Sequence, residues 1–128
     1  MNVVDSSAWI EYFAGGPNTG FFAGAIERVS DLIVPALTVY EVFKWVARER
    51  GEAAALHAIA HMQQGEVIAL DGKLAVLAAR LSLQAKLPMA DSIVYATARA
   101  HQATLWTQDG DLEGLDGVQY AAKKKAGK

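Results

Sequence analysis

The sequence predicts a three-layer α/β/α sandwich around a mostly parallel central sheet. Three observations lead there. Short apolar runs alternate with longer stretches of helical periodicity along the whole chain, the pattern of βα units. The length of 128 residues with 52% hydrophobic content fits one folded domain able to bury a core. Four acids, Asp5, Glu41, Asp91 and Asp109, each stand where an apolar run ends or a helix begins. In a parallel α/β domain those places meet along one edge of the sheet, where ligand sites form.

The elements follow in order. Asn2, Val3 and Val4 read as a short buried strand, and Asp5, Ser6 and Ser7 supply N-cap chemistry for a helix over 8–13. Gly15, Gly16, Pro17 and Asn18 break it. Phe21, Phe22, Ala25, Ile26 and Val29 recur at helical spacing. Leu32, Ile33 and Val34 form a second strand closed by Pro35. The clearest helix covers 38–50, with Val39, Val42, Phe43 and Val46 as its apolar stripe. Gly51 interrupts it, and a further helix over 52–64 ends at Gly65 as C′ residue. A third strand covers 67–70. Asp71 caps a helix over 73–84, and Pro88 starts another that reaches 101. Leu105, Trp106 and Thr107 form a strand, and Val118, Gln119 and Tyr120 an edge strand. No repeat or linker divides the chain, so residues 1–120 read as one domain. Residues 121–128 are small and basic and read as a disordered tail.

Composition excludes several classes. Without cysteine there is no disulfide framework and no thiolate metal site, which suits a reducing cytoplasm. No apolar run approaches the roughly 20 residues of a membrane span, and no signal-peptide pattern opens the chain. The net charge of −2 means that nucleic-acid contact would rest on local patches and a bound cation.

Each acid has a local structural explanation. Asp5 can be an N-cap. Thr38 and Glu41 fit a capping box. Asp91 falls in a first helical turn, where the dipole favours a carboxylate. Asp109 and Asp111 flank Gly110 in a turn-forming pair. Their joint placement at one sheet edge needs more. Clustered carboxylates repel unless a cation lies between them, and such oxygen-rich sites suit Mg²⁺ or Mn²⁺. Phosphodiester hydrolysis is the most productive use of such a site.

The local sequences carry a resemblance. The run Val3-Val4-Asp5-Ser6-Ser7-Ala8-Trp9-Ile10 resembles the opening of PIN-domain ribonucleases, in particular the VapC-type toxins of type II toxin–antitoxin pairs. The run from Val34 and Pro35 through Thr38 to Glu41 and Val42 is similar to their second acidic motif. Leu87-Pro88-Met89-Ala90-Asp91-Ser92 is similar to the third, and Leu105-Trp106-Thr107-Gln108-Asp109-Gly110-Asp111-Leu112 to the fourth. Order and spacing match over nearly the whole chain. Leu112 departs mildly from a common Phe.

The resemblance implies a PIN-like fold and a Mg²⁺- or Mn²⁺-dependent endoribonuclease. Asp5, Glu41, Asp91 and Asp109 would be the catalytic acids. Asp5, Asp91 and Asp109 would ligate metal, and Glu41 would ligate it or orient its water. Ser6 and Thr107 stand at positions that could hold a metal-bound water, and the role of Asp111 is open. The implied partners are an RNA substrate, a cognate antitoxin protein and a second copy of the chain. A solitary PIN nuclease and a catalytically silent PIN-like binding module are the alternatives. An apolar groove for the antitoxin would be walled by residues such as Trp9, Tyr12, Phe13 and Val42.

Lys44 and Arg48 follow Glu41 at helical intervals and are candidate RNA phosphate contacts, against a solvated helix face as the plain alternative. Lys123, Lys124, Lys125 and Lys128 could attract RNA or simply be solvated. His57 and His61 have an i, i+4 zinc spacing, but Ala58 stands where a metalloprotease motif needs Glu. Trp9, Trp45 and Trp106 read as core or interface residues. An aspartyl-nucleophile phosphatase would want a second Asp where Ser7 stands, and a phospho-receiver domain would want an acidic pair near the start, which Asp5 alone does not make.

Overall fold

Five strands form one sheet in which every neighbouring pair is parallel. They are β1 (Asn2–Val4), β2 (Leu32–Pro35), β3 (Glu66–Ile68), β4 (Thr104–Thr107) and β5 (Val118–Tyr120), in the spatial order β3-β2-β1-β4-β5. Six helices connect them: α1 (Ser6–Ala14), α2 (Thr19–Glu27), α3 (Ala36–Arg50), α4 (Glu52–Met62), α5 (Gly72–Ala85) and α6 (Met89–Ala100). This computed structural model describes residues 1–125. The last part of the predicted tail, with Lys128, lies outside the described residues.

The side-chain period of two sorts the strand residues onto two faces. Val4, Leu32 and Val34 point into a core shared with Trp9, Phe22, Ile26, Val42 and Met62, so α1 to α4 cover that face. Val3, Ile33 and Leu105 point the other way, onto Val94, Tyr95 and Ala98 of α6. α5 then packs on α6 through Leu74, Leu77, Ala78, Ile93 and Ala96. The predicted three layers and parallel sheet are therefore present, and the parallelism is complete.

Element limits differ from expectation in ways that bear on the site. α3 begins at Ala36, not at 38, because Pro35 serves as its N-cap, where a missing N–H costs nothing. The Pro35 carbonyl accepts a hydrogen bond from Thr38 Oγ1 at 2.6 Å. Thr38 is thus inside the helix and makes no capping box with Glu41. α1 stops as predicted: Gly15 adopts a left-handed φ of 68°, and the Gly15 and Gly16 N–H groups close on the Tyr12 and Glu11 carbonyls. Gly65 has a different task from the predicted C′ role, since α4 already ends at Met62. A Cβ at Gly65 would lie 2.9 Å from both the Leu32 carbonyl oxygen and Leu32 Cγ. Backbone at the start of β2 cannot step aside. Gly65→Ala is expected to cost about 1–3 kcal/mol, read as a lower urea midpoint at unchanged slope.

The tail's first residues are held. Ala121 N–H donates to the Thr107 carbonyl at 3.1 Å, its side chain packs on the core, and the Ala122 carbonyl accepts from Asn18 Nδ2 at 2.9 Å.

Candidate metal centre

β1 lies between β2 and β4, so the chain's connections leave it in opposite directions. Such a reversal opens a crevice beyond the strand C-termini. Asp5 is the first residue after β1, and Asp109 follows β4 by two residues. The Asp5 N–H donates to the Trp106 carbonyl at 3.0 Å, tying the two strand ends together. Asp91 enters from the first turn of α6 and Glu41 from the second turn of α3.

Asp91, Asp109 and Asp111 each bring a carboxylate oxygen within 4.8 Å of the others. The Asp109 carboxyl lies close enough to Asp91 to raise its pKa. Asp5 and Glu41 stand outside that triplet but within its field, since Asp5 and Asp109 both act on Glu41 and Asp5 acts on Asp91. The structure thus clusters Asp91 and Asp109 with Asp111, and sets Asp5 and Glu41 near enough to feel their charge.

Asp5 is 4% exposed. Although it is the N-cap of α1, its side chain makes no cap bond. Oδ2 instead accepts from Thr107 Oγ1 at 2.6 Å and from Ser7 Oγ at 2.8 Å, and Oδ1 accepts from Ser6 Oγ at 3.5 Å. Thr107 is wholly buried, and its Oγ1 also accepts from the Asp109 N–H at 2.9 Å. One hydroxyl therefore fixes two of the acids relative to each other. Asp109 Oδ1 accepts from the Asp111 N–H at 2.9 Å, so the predicted turn chemistry coexists with membership of the cluster.

The electrostatics are those of an uncompensated acidic site. Burial raises the Asp5 carboxyl above its ordinary range; the Thr107 and Ser7 hydrogen bonds offset part of that, and Asp109 adds to it. Burial also raises Glu41, with Asp5 and Asp109 adding and the Ser6 hydroxyl subtracting. Asp91 is pushed up to about 8 by burial, by the Asp109 carboxyl beside it and by the charges of Asp109, Asp5 and Asp111. Among the described residues, no Lys or Arg pairs with these acids. A hard, oxygen-only donor set that must otherwise hold protons fits Mg²⁺ or Mn²⁺. A cation bound there has to displace the Asp91 proton. Affinity is therefore expected to rise about tenfold per pH unit as pH approaches 8 from below, which Mn²⁺ titrations at pH 6 and pH 7 would read.

Other predicted residues lie elsewhere. Lys44 stands over the Tyr40 ring at 5.7 Å, and Arg48 pairs with Glu49 at 3.3 Å on the exposed helix surface. Neither touches the acids. Trp9 and Val42 are wholly buried, so they cannot wall an open groove; Trp9 stacks on Phe13, with His61 against its edge. His61 is thus part of an aromatic cluster, and His101 Nδ1 bonds the Thr97 carbonyl at 2.9 Å. The open apolar depression near α3 is lined instead by Val39, Tyr40, Phe43, Leu56 and Ile59, with a volume of about 610 Å³.

A buried polar network behind the site escaped the sequence reading. Gln108 N–H donates to Ser7 Oγ at 3.3 Å, and Gln108 Nε2 donates to Glu11 Oε1 at 3.4 Å. Asn18 Nδ2 donates to Gln108 Oε1 at 3.0 Å, and the Asn18 N–H donates to Glu11 Oε2 at 2.6 Å. The one available signal was Glu11 at i+4 from Ser7 on a shared helix face.

The comparisons with known proteins agree with this geometry. A search of curated proteins found no match. Among solved structures, a toxin-antitoxin complex from Klebsiella pneumoniae superposes with a TM-score of 0.78 at 23% identity, covering 93% of this chain and 96% of that one. VapC20 of Mycobacterium tuberculosis, a Sarcin-Ricin loop cleaving toxin, superposes at 0.76 with 18% identity, covering 92% and 97%. PAE2754 from Pyrobaculum aerophilum gives 0.73 at 23%, covering 93% and 87%. At these identities the likeness is one of fold. The family assignment rests on sequence: residues 3–118, which include every acid of the cluster, match the PIN domain, and the chain belongs to the PIN domain family.

Proposed function

We propose that this chain is a Mg²⁺- or Mn²⁺-dependent endoribonuclease acting as the toxin of a type II toxin–antitoxin pair in the cytoplasm. The observation that carries the reading is the acidic cluster at the C-terminal ends of β1 and β4, where Asp5, Glu41, Asp91, Asp109 and Asp111 lie together with no basic partner among the described residues. Asp5, Asp91 and Asp109 would hold the cation, with Asp111 beside them. When bound, a divalent cation neutralises the scissile phosphate and acidifies a water molecule. The protein's own residues do the rest. Ser7 and Thr107 occupy Asp5 Oδ2 and so leave Oδ1 the freer oxygen. Thr107 sets the Asp5–Asp109 separation. Glu41, held above its ordinary range by burial and by the charges of Asp5 and Asp109, is the candidate proton acceptor for a water at the site. Ser6, whose hydroxyl lies 3.5 Å from Asp5 Oδ1, also stands beside Glu41.

The toxin role draws support from the company the fold keeps. Similar structures include a DNA-bound VapBC from Salmonella typhimurium and FitAB bound to a DNA fragment. A cognate antitoxin protein is therefore the proposed partner. The test is direct. Purified chain incubated with RNA and Mn²⁺ should produce internal cuts, excess chelator should stop them, and Asp5→Asn should lack them. RNA left intact by the wild-type chain with Mg²⁺ or Mn²⁺ would overturn the reading.

A homodimer is the proposed assembly. Exposed apolar residues that it could cover include Phe21 and Val29 around α2, Leu56 on α4, Val76 and Leu83 (83% exposed) on α5, and Met89 (74% exposed) at the start of α6. Light scattering at tens of micromolar is expected to give twice the chain mass, and Leu83→Lys should return it to the monomer value.

A further inference from the structure

A nuclease that cuts RNA at a cluster of acids needs cations of its own to hold the neighbouring phosphates. Lys44 and Arg48 do not reach the crevice. The described C-terminal segment leaves the sheet at the edge where the acids lie. β5 runs parallel to β4 with Tyr120 opposite Thr107, so the backbone leaves the sheet at the same edge where Asp109 follows β4. Two bonds then direct it: Ala121 N–H to the Thr107 carbonyl at 3.1 Å, and Asn18 Nδ2 to the Ala122 carbonyl at 2.9 Å. Thr107 is the residue whose hydroxyl bonds Asp5. Asn18 is 4% exposed, and its amide serves both Gln108 and the departing chain. Lys123, Lys124 and Lys125 follow at once, all exposed. Three extended residues span about 10 Å, so these ammonium groups are tethered near the sheet edge from which Asp109 departs, on the side where Asn18 holds Ala122.

We propose that Lys123, Lys124 and Lys125 bind backbone phosphates of single-stranded RNA flanking the cut site, and that Asn18 is the positioning residue that anchors this cationic arm. The inference rests on the ribonuclease reading above. It explains how a chain of net charge −2 offers positive charge to a polyanion. Lysine suits the task, because it meets phosphate as a point charge and does not demand a fixed base sequence.

The test uses the full chain and a fluorescent single-stranded RNA oligonucleotide with Mg²⁺. Anisotropy is followed across salt concentrations in an Asp91→Asn background that prevents cutting. Replacing Lys123, Lys124 and Lys125 together by Ala should weaken binding about tenfold or more at moderate salt. It should also reduce the slope of log affinity against log salt by about 2, as expected for three lost phosphate contacts on a single strand. Asn18→Ala should lose a smaller part of the slope. A control that removes equal charge elsewhere, at Arg28, Lys73 and Arg80, should leave the slope unchanged. In the otherwise wild-type chain the lysine variant should raise KM with kcat nearly constant. The lysine positions are exposed, so misfolding does not confound them. If the wild type cuts RNA but the lysine variant keeps the parent's slope and KM, the arm is not a phosphate contact and the ribonuclease reading stands. A slope lost equally in the control overturns the arm as well. If the wild type neither cuts nor binds RNA, both readings fall together.

Discussion

Asp91→Asn is expected to abolish metal-dependent cleavage while leaving the fold intact. The loss should reach about 10³-fold, the equivalent of several kcal/mol of transition-state charge stabilisation. The substitution is nearly isosteric, and in the cation-free protein it imitates the state that Asp91 already prefers. Its carboxyl titrates at about 8, against an ordinary value near 3.8. Between those two values the folded state binds more protons than the unfolded chain, so cation-free wild type loses stability as pH rises through that window. Above about 8 the full repulsion with Asp109, Asp5 and Asp111 is felt. Asp91→Asn removes that term. Cation-free melting temperatures should therefore fall from pH 6 to pH 8.5 in the wild type and fall less in the variant. Added Mn²⁺ should restore the wild type and do little for the variant. A variant that keeps full cleavage would remove Asp91 from the mechanism.

Thr107→Val is the second substitution with a large expected effect, and it acts without touching an acid. Valine matches the shape but loses a hydroxyl that donates to Asp5 at 2.6 Å and accepts from the Asp109 N–H at 2.9 Å. Asp5 Oδ2 keeps only its Ser7 partner, and the part-buried Asp109 N–H is left without one. That costs about 1–3 kcal/mol of stability. The two acids also lose their common reference, and loss of such a supporting hydrogen bond typically lowers metal affinity 10–100-fold. Thr107→Ser keeps the hydroxyl and should recover most of the affinity. Mn²⁺ titration of the three proteins reads the series. Equal affinity in wild type and Thr107→Val would mean that the hydroxyl only fills space.

Much of this arrangement is legible in the sequence because its cause is local. The strand-like run before Asp5 and the one before Asp109 put those acids at strand ends, and a parallel sheet brings strand ends together. Asp91 is legible in the same way from Pro88 and the helical pattern after it. Glu41 is harder. Its spacing from Thr38 imitates a capping box, and only the early start of α3 at Ala36, with Pro35 as N-cap, puts Thr38 inside the helix. Asp111 cannot be placed from sequence, since its approach to Asp91 depends on how the 3-10 turn at Gly110–Leu112 folds beneath α6.

The supporting network is less legible still. Asn18 sits in what reads as a plain Gly-Gly-Pro-Asn break, and its partners lie 90 and 104 residues away. Lys44 and Arg48 show the opposite failure. Helical spacing puts them near Glu41 along the sequence, but their side chains turn to Tyr40 and Glu49. Periodicity assigns a helix face correctly only when the helix's rotation about its own axis is known, and Trp9 and Val42 are misjudged as groove residues for that reason.

Asp5, Asp91 and Asp109 are proposed to hold a divalent cation. A crystal of the full chain soaked in Mn²⁺, with anomalous scattering collected above the manganese edge, tests it most directly. A peak is expected in the crevice between β1 and β4, within about 2.0–2.6 Å of oxygens from these acids, and it should disappear in Asp91→Asn. A wild-type crystal at high Mn²⁺ with no peak in that crevice, or with its only peak elsewhere, would contradict it.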